Sequence, residues 1–129
     1  PEENYLCTIA LNHGLTCSTS GGYERYFTSD GVTYHHLIDP STGYPAQSGL
    51  LSVTTVAADP ALADAWSTAL FVLGTDRALE LWRSGEGAIA TMELILVTQD
   101  QQVYVTQGLE DGLQFHGEEA GYNYELVRR

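Results

Sequence analysis

The sequence predicts an α+β fold, a mainly antiparallel sheet with two consecutive helices packed on one face. Two observations predict it. Runs of strand character lie before and after one helical stretch, residues 59–85, rather than alternating with helices. Turn signals rich in Gly, Pro, Asn, Asp and Ser separate the runs. The 129 residues make a single domain, 1–129, since one domain commonly takes about 100–200 residues. A hydrophobic share of 43% with 13 glycines is that of an ordinary globule.

Tyr5 to Leu11 alternates loosely and reads as a strand. Asn12-His13-Gly14 is a turn, and Leu15 to Ser20 reads as the returning strand of a hairpin. Ser20-Gly21-Gly22 breaks the pattern, because adjacent glycines permit positive φ and close approach of a ligand or another backbone. Tyr23 to Phe27 resumes an extended, aromatic run, and Ser29-Asp30-Gly31 turns into the next strand, Val32 to Ile38. Alternation there puts Val32, Tyr34, His36 and Ile38 on one face, and Thr33, His35, Leu37 and Asp39 on the other. Asp39-Pro40 ends the strand, because proline lacks a ladder donor and restricts the residue before it. Ser41-Thr42-Gly43 completes a compact loop.

Leu50 to Ala57, rich in Val and Thr, reads as a central strand. Asp59 as N-cap and Pro60 in the first turn start a helix that runs to about Leu73 and stops at Gly74. Leu62, Trp66, Ala69, Leu70 and Leu73 form one apolar stripe at helical spacing. Thr75 caps a second helix, Asp76 to about Ser84, ended by Gly85. The stretch Gly85–Ala90 matches no phosphate-loop spacing and reads as a turn. Ile89 to Thr98 and Gln102 to Thr106 read as strands joined at Gln99–Gln101. The tail holds a turn around Asp111-Gly112 and a last strand, Tyr122 to Val127.

Seventeen acidic residues against five basic ones give a net charge of −12. Such a field repels a phosphate backbone, which argues against nucleic acid as a partner, and it disfavours anionic membrane surfaces. It suits solubility and also divalent cations. Cys7 and Cys17 supply too few soft ligands for a four-ligand zinc site. A turn at Asn12–Gly14 does not set them directly opposite each other, so free thiols are expected. The opening PEEN has neither a basic n-region nor an apolar h-region, so no signal peptide is expected in this chain.

Asp64 and Thr68 are four apart in the first helix, on one face and one turn apart. A carboxylate and a hydroxyl among small neighbours can offer two oxygens to a hard cation such as Mg²⁺. A solvent-facing aspartate near the positive end of the helix dipole accounts for Asp64 equally well and is the commoner case. His36 suits a general base, although a lone histidine on an apolar strand face is most often a core residue. Asp39 can orient a histidine or cap its own turn. Thr19 to Gly22 with Tyr23, Arg25 and Tyr26 read either as a ligand wall or as a bulged strand whose tyrosines pack in the core.

Three stretches together resemble the ApbE family of Mg²⁺-dependent FAD:protein FMN transferases: TSGGYERYF (Thr19–Phe27), HLIDPSTGYP (His36–Pro45) and ADAWSTALFVLG (Ala63–Gly74). Family members transfer the FMN half of FAD to a Thr or Ser hydroxyl of a target flavoprotein, releasing AMP, and some hydrolyse FAD instead. The resemblance implies His36 as catalytic base and Asp64 and Thr68 as side-chain Mg²⁺ ligands. It places Ser20, Gly21, Tyr23, Asp39, Thr42 and Gly43 beside the flavin nucleotide. Gly22 departs from the acidic or polar residue that members often carry before the tyrosine. In the family these motifs lie near the end of a much longer chain, so this sequence resembles the C-terminal half. That implies either the cation- and base-bearing half of a transferase or a non-catalytic binding or assembly module. It also implies an apolar surface that favours a homo-oligomer. Members are commonly bacterial envelope or periplasmic proteins.

Overall fold

The computed structural model describes residues 5–10, 14–21, 26–29, 32–36 and 49–129; for residues 5, 6, 26–29, 32–36 and 119 the description is of the backbone. In chain order the strands and helices are β1 (Tyr5–Ala10), β2 (Thr16–Gly21), β3 (Tyr26–Ser29), β4 (Val32–His36), β5 (Leu50–Ala57), α1 (Pro60–Leu73), α2 (Thr75–Ser84), β6 (Glu93–Thr98), β7 (Gln102–Thr106), β8 (Leu113–Phe115) and β9 (Asn123–Val127). Two sheets form. The larger runs β2-β5-β6-β7-β9 and the smaller β3-β4-β1-β8. Every pairing is antiparallel except that of β7 with β9, which is parallel.

The expected architecture is present: an antiparallel-rich sheet carrying α1 and α2 on one face. Alternation in the central strands builds it. On β5 and β6, Val53, Leu94 and Leu96 meet Leu70 of α1 and Ala78, Leu79 and Trp82 of α2. Their neighbours Val56, Ile95 and Val97 turn the other way, onto Cys7 and Ile9 of β1. The second sheet therefore covers the face that the helices leave open. All eight residues of β5 are buried, as a strand covered on both faces must be. Among the described residues no helix is long and apolar enough to cross a membrane.

Several expectations are corrected. β1 and β2 do not form a hairpin. β1 pairs with β4 and β8, whereas β2 pairs with β5. Both strands find longer-range partners because each is needed in a different layer. α1 buries only part of the stripe expected of it, Leu70, with Trp66 packed partly against the core. Its buried residues are Ala63, Ser67 and Leu70, while Leu62 and Leu73 are exposed. Apolar residues surround this helix, so hydrophobicity alone points weakly to a face. Small residues at 63 and 67 decide the matter by letting the backbone approach the sheet.

The remaining differences are local. Gly74, with φ 95°, precedes α2 and no side chain caps it, so Thr75 is the first helical residue rather than the cap. Residues Gly87–Thr91 form a 3₁₀ turn, and the strand expected from Ile89 begins only at Glu93. Asp59 caps α1 as expected, its side chain accepting from the backbone N–H groups of Ala61 and Leu62 at 2.9 and 3.3 Å. Cys7 and Cys17 are thiols.

Candidate functional site

The candidate site lies where α1 crosses β2, at the edge of the larger sheet. Alternation sends Thr16, Ser18 and Ser20 toward the helix side, and Cys17 and Thr19 toward the smaller sheet. The opposite partners of Ser18 and Ser20 on β5 are Thr55 and Val53. Edge strands usually offer an overlying helix apolar side chains; this one offers hydroxyls. The Thr55 hydroxyl continues the pattern by donating to the carbonyl of Ala63 at 2.5 Å.

Asp64 and Thr68 meet those hydroxyls. Ser18 Oγ donates to Asp64 Oδ1 at 3.1 Å. Ser20 Oγ lies 3.0 Å from Thr68 Oγ1 and 2.7 Å from Ser67 Oγ. Ser67 Oγ donates to the carbonyl of Asp64 at 2.8 Å, and Thr68 Oγ1 lies 3.3 Å from the same oxygen. Each hydroxyl has one proton. Ser67 spends its proton on the Asp64 carbonyl, so Ser20 donates to Ser67 across the shorter distance. The Thr68 proton lies between the Asp64 carbonyl and Ser20 Oγ, and its oxygen keeps lone pairs for another partner. Asp64 and Thr68 are both exposed, whereas Ser67 is fully buried. The buried serine anchors the helix, and the two groups beside it face outward.

Gly21 ends β2 with φ 147°. A Cβ there would collide with the carbonyl of Leu51 and come within 2.7 Å of Ser52 Cα. Its glycine is thus required by the packing of β2 on β5, whatever else it contacts. The hydroxyl of its partner Ser52 is buried and has no hydrogen-bond partner among the described residues.

The structure brings together Asp64, Thr68 and Ser20, with Gly21 adjoining. His36 is the last residue of β4, its backbone opposite Tyr5; its side chain lies outside the described ones. β4 belongs to the smaller sheet and α1 covers the opposite face of the larger one, so a meeting of His36 with Asp64 has to pass the edge at β2. Tyr23, Asp39, Thr42 and Gly43 lie outside the described residues. Ser18 and Ser67 were missed by the sequence reasoning, although the hydroxyl alternation at residues 16, 18 and 20 signalled a polar strand face. Among the described residues no group of three or more His, Cys, Asp or Glu converges.

Comparison with known proteins settles the family. The family model described as "ApbE family" matches residues 1–92. The chain belongs to the ApbE family. Similar relatives named FAD:protein FMN transferase include one from Treponema pallidum, 42% identical over 72% of this chain and 25% of its own length. One from Klebsiella pneumoniae is 36% identical over 89% of this chain and 34% of its own length. One from Escherichia coli K12 is 43% identical over 64% and 23%. The chain thus spans about a quarter to a third of the length of these ApbE relatives. A crystal structure of the ApbE protein from Thermotoga maritima is 39% identical over 84% of this chain and 31% of that one, with a TM-score of 0.37. The family match covers β1 through α2, and so includes the whole seam between β2 and α1.

Proposed function

We propose that this chain carries the cation-holding part of an FAD:protein FMN transferase. The observation that carries the reading is the pair Asp64 and Thr68, set side by side at the edge of a sheet in a chain of the ApbE family. The donor set fits Mg²⁺: both donors are hard oxygens, and Mg²⁺ is commonly bound by one or two carboxylates together with substrate phosphates. When bound, the ion would neutralise charge on the FAD pyrophosphate as phosphoryl transfer proceeds. Asp64 would supply its carboxylate and Thr68 its hydroxyl oxygen. Ser20, Gly21, Tyr23, Asp39, Thr42 and Gly43 would border the flavin nucleotide. His36 would take the proton of an acceptor Thr or Ser hydroxyl on the target flavoprotein. The acceptor oxygen bonds to the FMN phosphorus, the bond to the AMP oxygen breaks, and AMP leaves.

Purified chain incubated with FAD, Mg²⁺ and an acceptor flavoprotein should release AMP and leave covalent flavin fluorescence on the acceptor. Chromatography and a fluorescent gel read both. Release of FMN and AMP without labelling indicates hydrolysis instead of transfer. Absence of any FAD turnover refutes catalysis by this chain and supports a second reading, a non-catalytic ApbE-like binding or assembly module. On either reading we propose self-association; α1 exposes Leu62 near its start and Val72 and Leu73 at its end. A monomer by light scattering at high concentration refutes this.

A further inference from the structure

We propose that Ser18 and Ser20 are positioning residues for the cation donors, Ser18 fixing the carboxylate of Asp64 and Ser20 the hydroxyl of Thr68. The proposal rests on the reading that Asp64 and Thr68 hold a divalent cation. Its own support is geometric. Both hydroxyls project from one face of β2, two residues apart, and each reaches one of the two donors, at 3.1 and 3.0 Å. The Ser18 bond engages Asp64 Oδ1; among the described residues Oδ2 receives no hydrogen bond. A carboxylate held by one oxygen and open at the other has a defined direction in which to bind a cation. Thr68, held by Ser20 at 3.0 Å and by the Asp64 carbonyl at 3.3 Å, likewise keeps oxygen lone pairs for a further partner.

Stability does not explain the Ser18–Asp64 bond. The Ser18–Asp64 bond is exposed, and an exposed bond of this kind adds little to folding. An apolar β2 would bury more surface under α1. Ligand orientation does explain it: partners that hold metal-binding side chains commonly change metal affinity by about 10- to 100-fold when removed. β2 is an edge strand tied to β5 along its whole length, so it offers a stiff mount for both bonds.

Mn²⁺ serves as the probe, its free concentration read by the electron paramagnetic resonance of the hydrated ion during titration of the whole chain. Four variants are compared: D64N, S18A, S18T and S20A. Thermal melts accompany each titration. The unaltered chain should bind one Mn²⁺ that D64N abolishes. S18A and S20A should each weaken binding about tenfold; S18A should melt close to the unaltered chain, S20A should melt lower because it also removes the part-buried bond to Ser67, and S18T, which keeps the hydroxyl, should restore affinity. If the unaltered chain binds no Mn²⁺, or D64N binds it equally, the cation reading fails and the proposal with it. If D64N abolishes binding while S18A and S20A stay within twofold of the unaltered chain, the positioning proposal alone is overturned. It is likewise overturned if S18A loses affinity only along with a large drop in melting temperature, or if S18T fails to restore it.

Discussion

Replacing Gly21 by alanine tests whether this glycine is held by packing or by a ligand. Its φ of 147° lies where L side chains are strained, at about 1–2 kcal/mol. The added Cβ would also meet the Leu51 carbonyl and lie 2.7 Å from Ser52 Cα. Both are backbone atoms of the buried central strand, which cannot swing aside like a side-chain tip. Overpacking of this kind costs about 1–3 kcal/mol, which brings the total to about 2–5 kcal/mol. An unfolding entropy of about 2.1 cal/mol/K per residue over 129 residues converts each kcal/mol to about 4 °C. G21A should therefore melt about 8–18 °C lower by circular dichroism in the absence of any ligand. G14A is the control: its φ is 88° but a Cβ there meets nothing within 4 Å, so only strain of about 1 kcal/mol applies. A G21A melt within about 2 °C of the unaltered chain refutes the packing account and leaves ligand contact as the reason for the glycine.

Four further outcomes follow from the structure. D59A removes the N-cap of α1 and should cost about 1 kcal/mol, seen as a lower urea midpoint with an unchanged slope. S52A deletes a buried hydroxyl that has no hydrogen-bond partner among the described residues and should be neutral or slightly stabilising in the same assay, unlike most buried substitutions. Arg129 donates to the carbonyls of Trp82, Ala90 and Ile89 and lies 4.3 Å over the Trp82 ring. R129A should thus cost about 1–2 kcal/mol, and R129K should not restore it because an ammonium lacks the planar fork. Burial, then the nearby Glu110, raise the Tyr124 phenol above its usual range. The phenol ionises more readily unfolded than folded, so its contribution is complete below about pH 10 and is lost as pH rises through the folded value. Y124F should flatten the alkaline limb of a stability–pH curve, and an unchanged limb contradicts this.

The helical part of the fold was legible because local chemistry fixes it. Asp59-Pro60 opens α1 and Gly74 closes it, both by interactions within a few residues. The partition into two sheets was not. Nothing local to Tyr5–Ala10 or Thr16–Gly21 says that one pairs with β4 and the other with β5; a turn signal between two strands predicts a hairpin, and long-range pairing overrode it. The buried face of α1 was misread for a related reason. Hydrophobicity ranks Leu62 and Leu73 above Ala63 and Ser67, yet close packing on a hydroxyl-bearing strand selects small residues. At the site, the pair Asp64 and Thr68 followed from helix periodicity, whereas Ser18 entered only when β2 was placed beneath them.

That seam also bears on how a chain spanning about a quarter to a third of its relatives' length would hold the proposed cation. A soft-metal site needs several protein ligands brought from distant elements, and losing one element destroys it. A Mg²⁺ site that relies on substrate phosphates needs few. Here one helical turn supplies the carboxylate and the hydroxyl, and one adjacent strand supplies their hydrogen bonds. All of these groups lie within residues 18–68 and inside the span of the family match. The donor geometry is thus set by two elements that pack directly on each other. What lies further away is His36, the proposed base, on the smaller sheet. If the two functions depend on separate parts of the fold, a chain that binds Mn²⁺ through Asp64 yet fails to turn over FAD is the expected result of disturbing only the second.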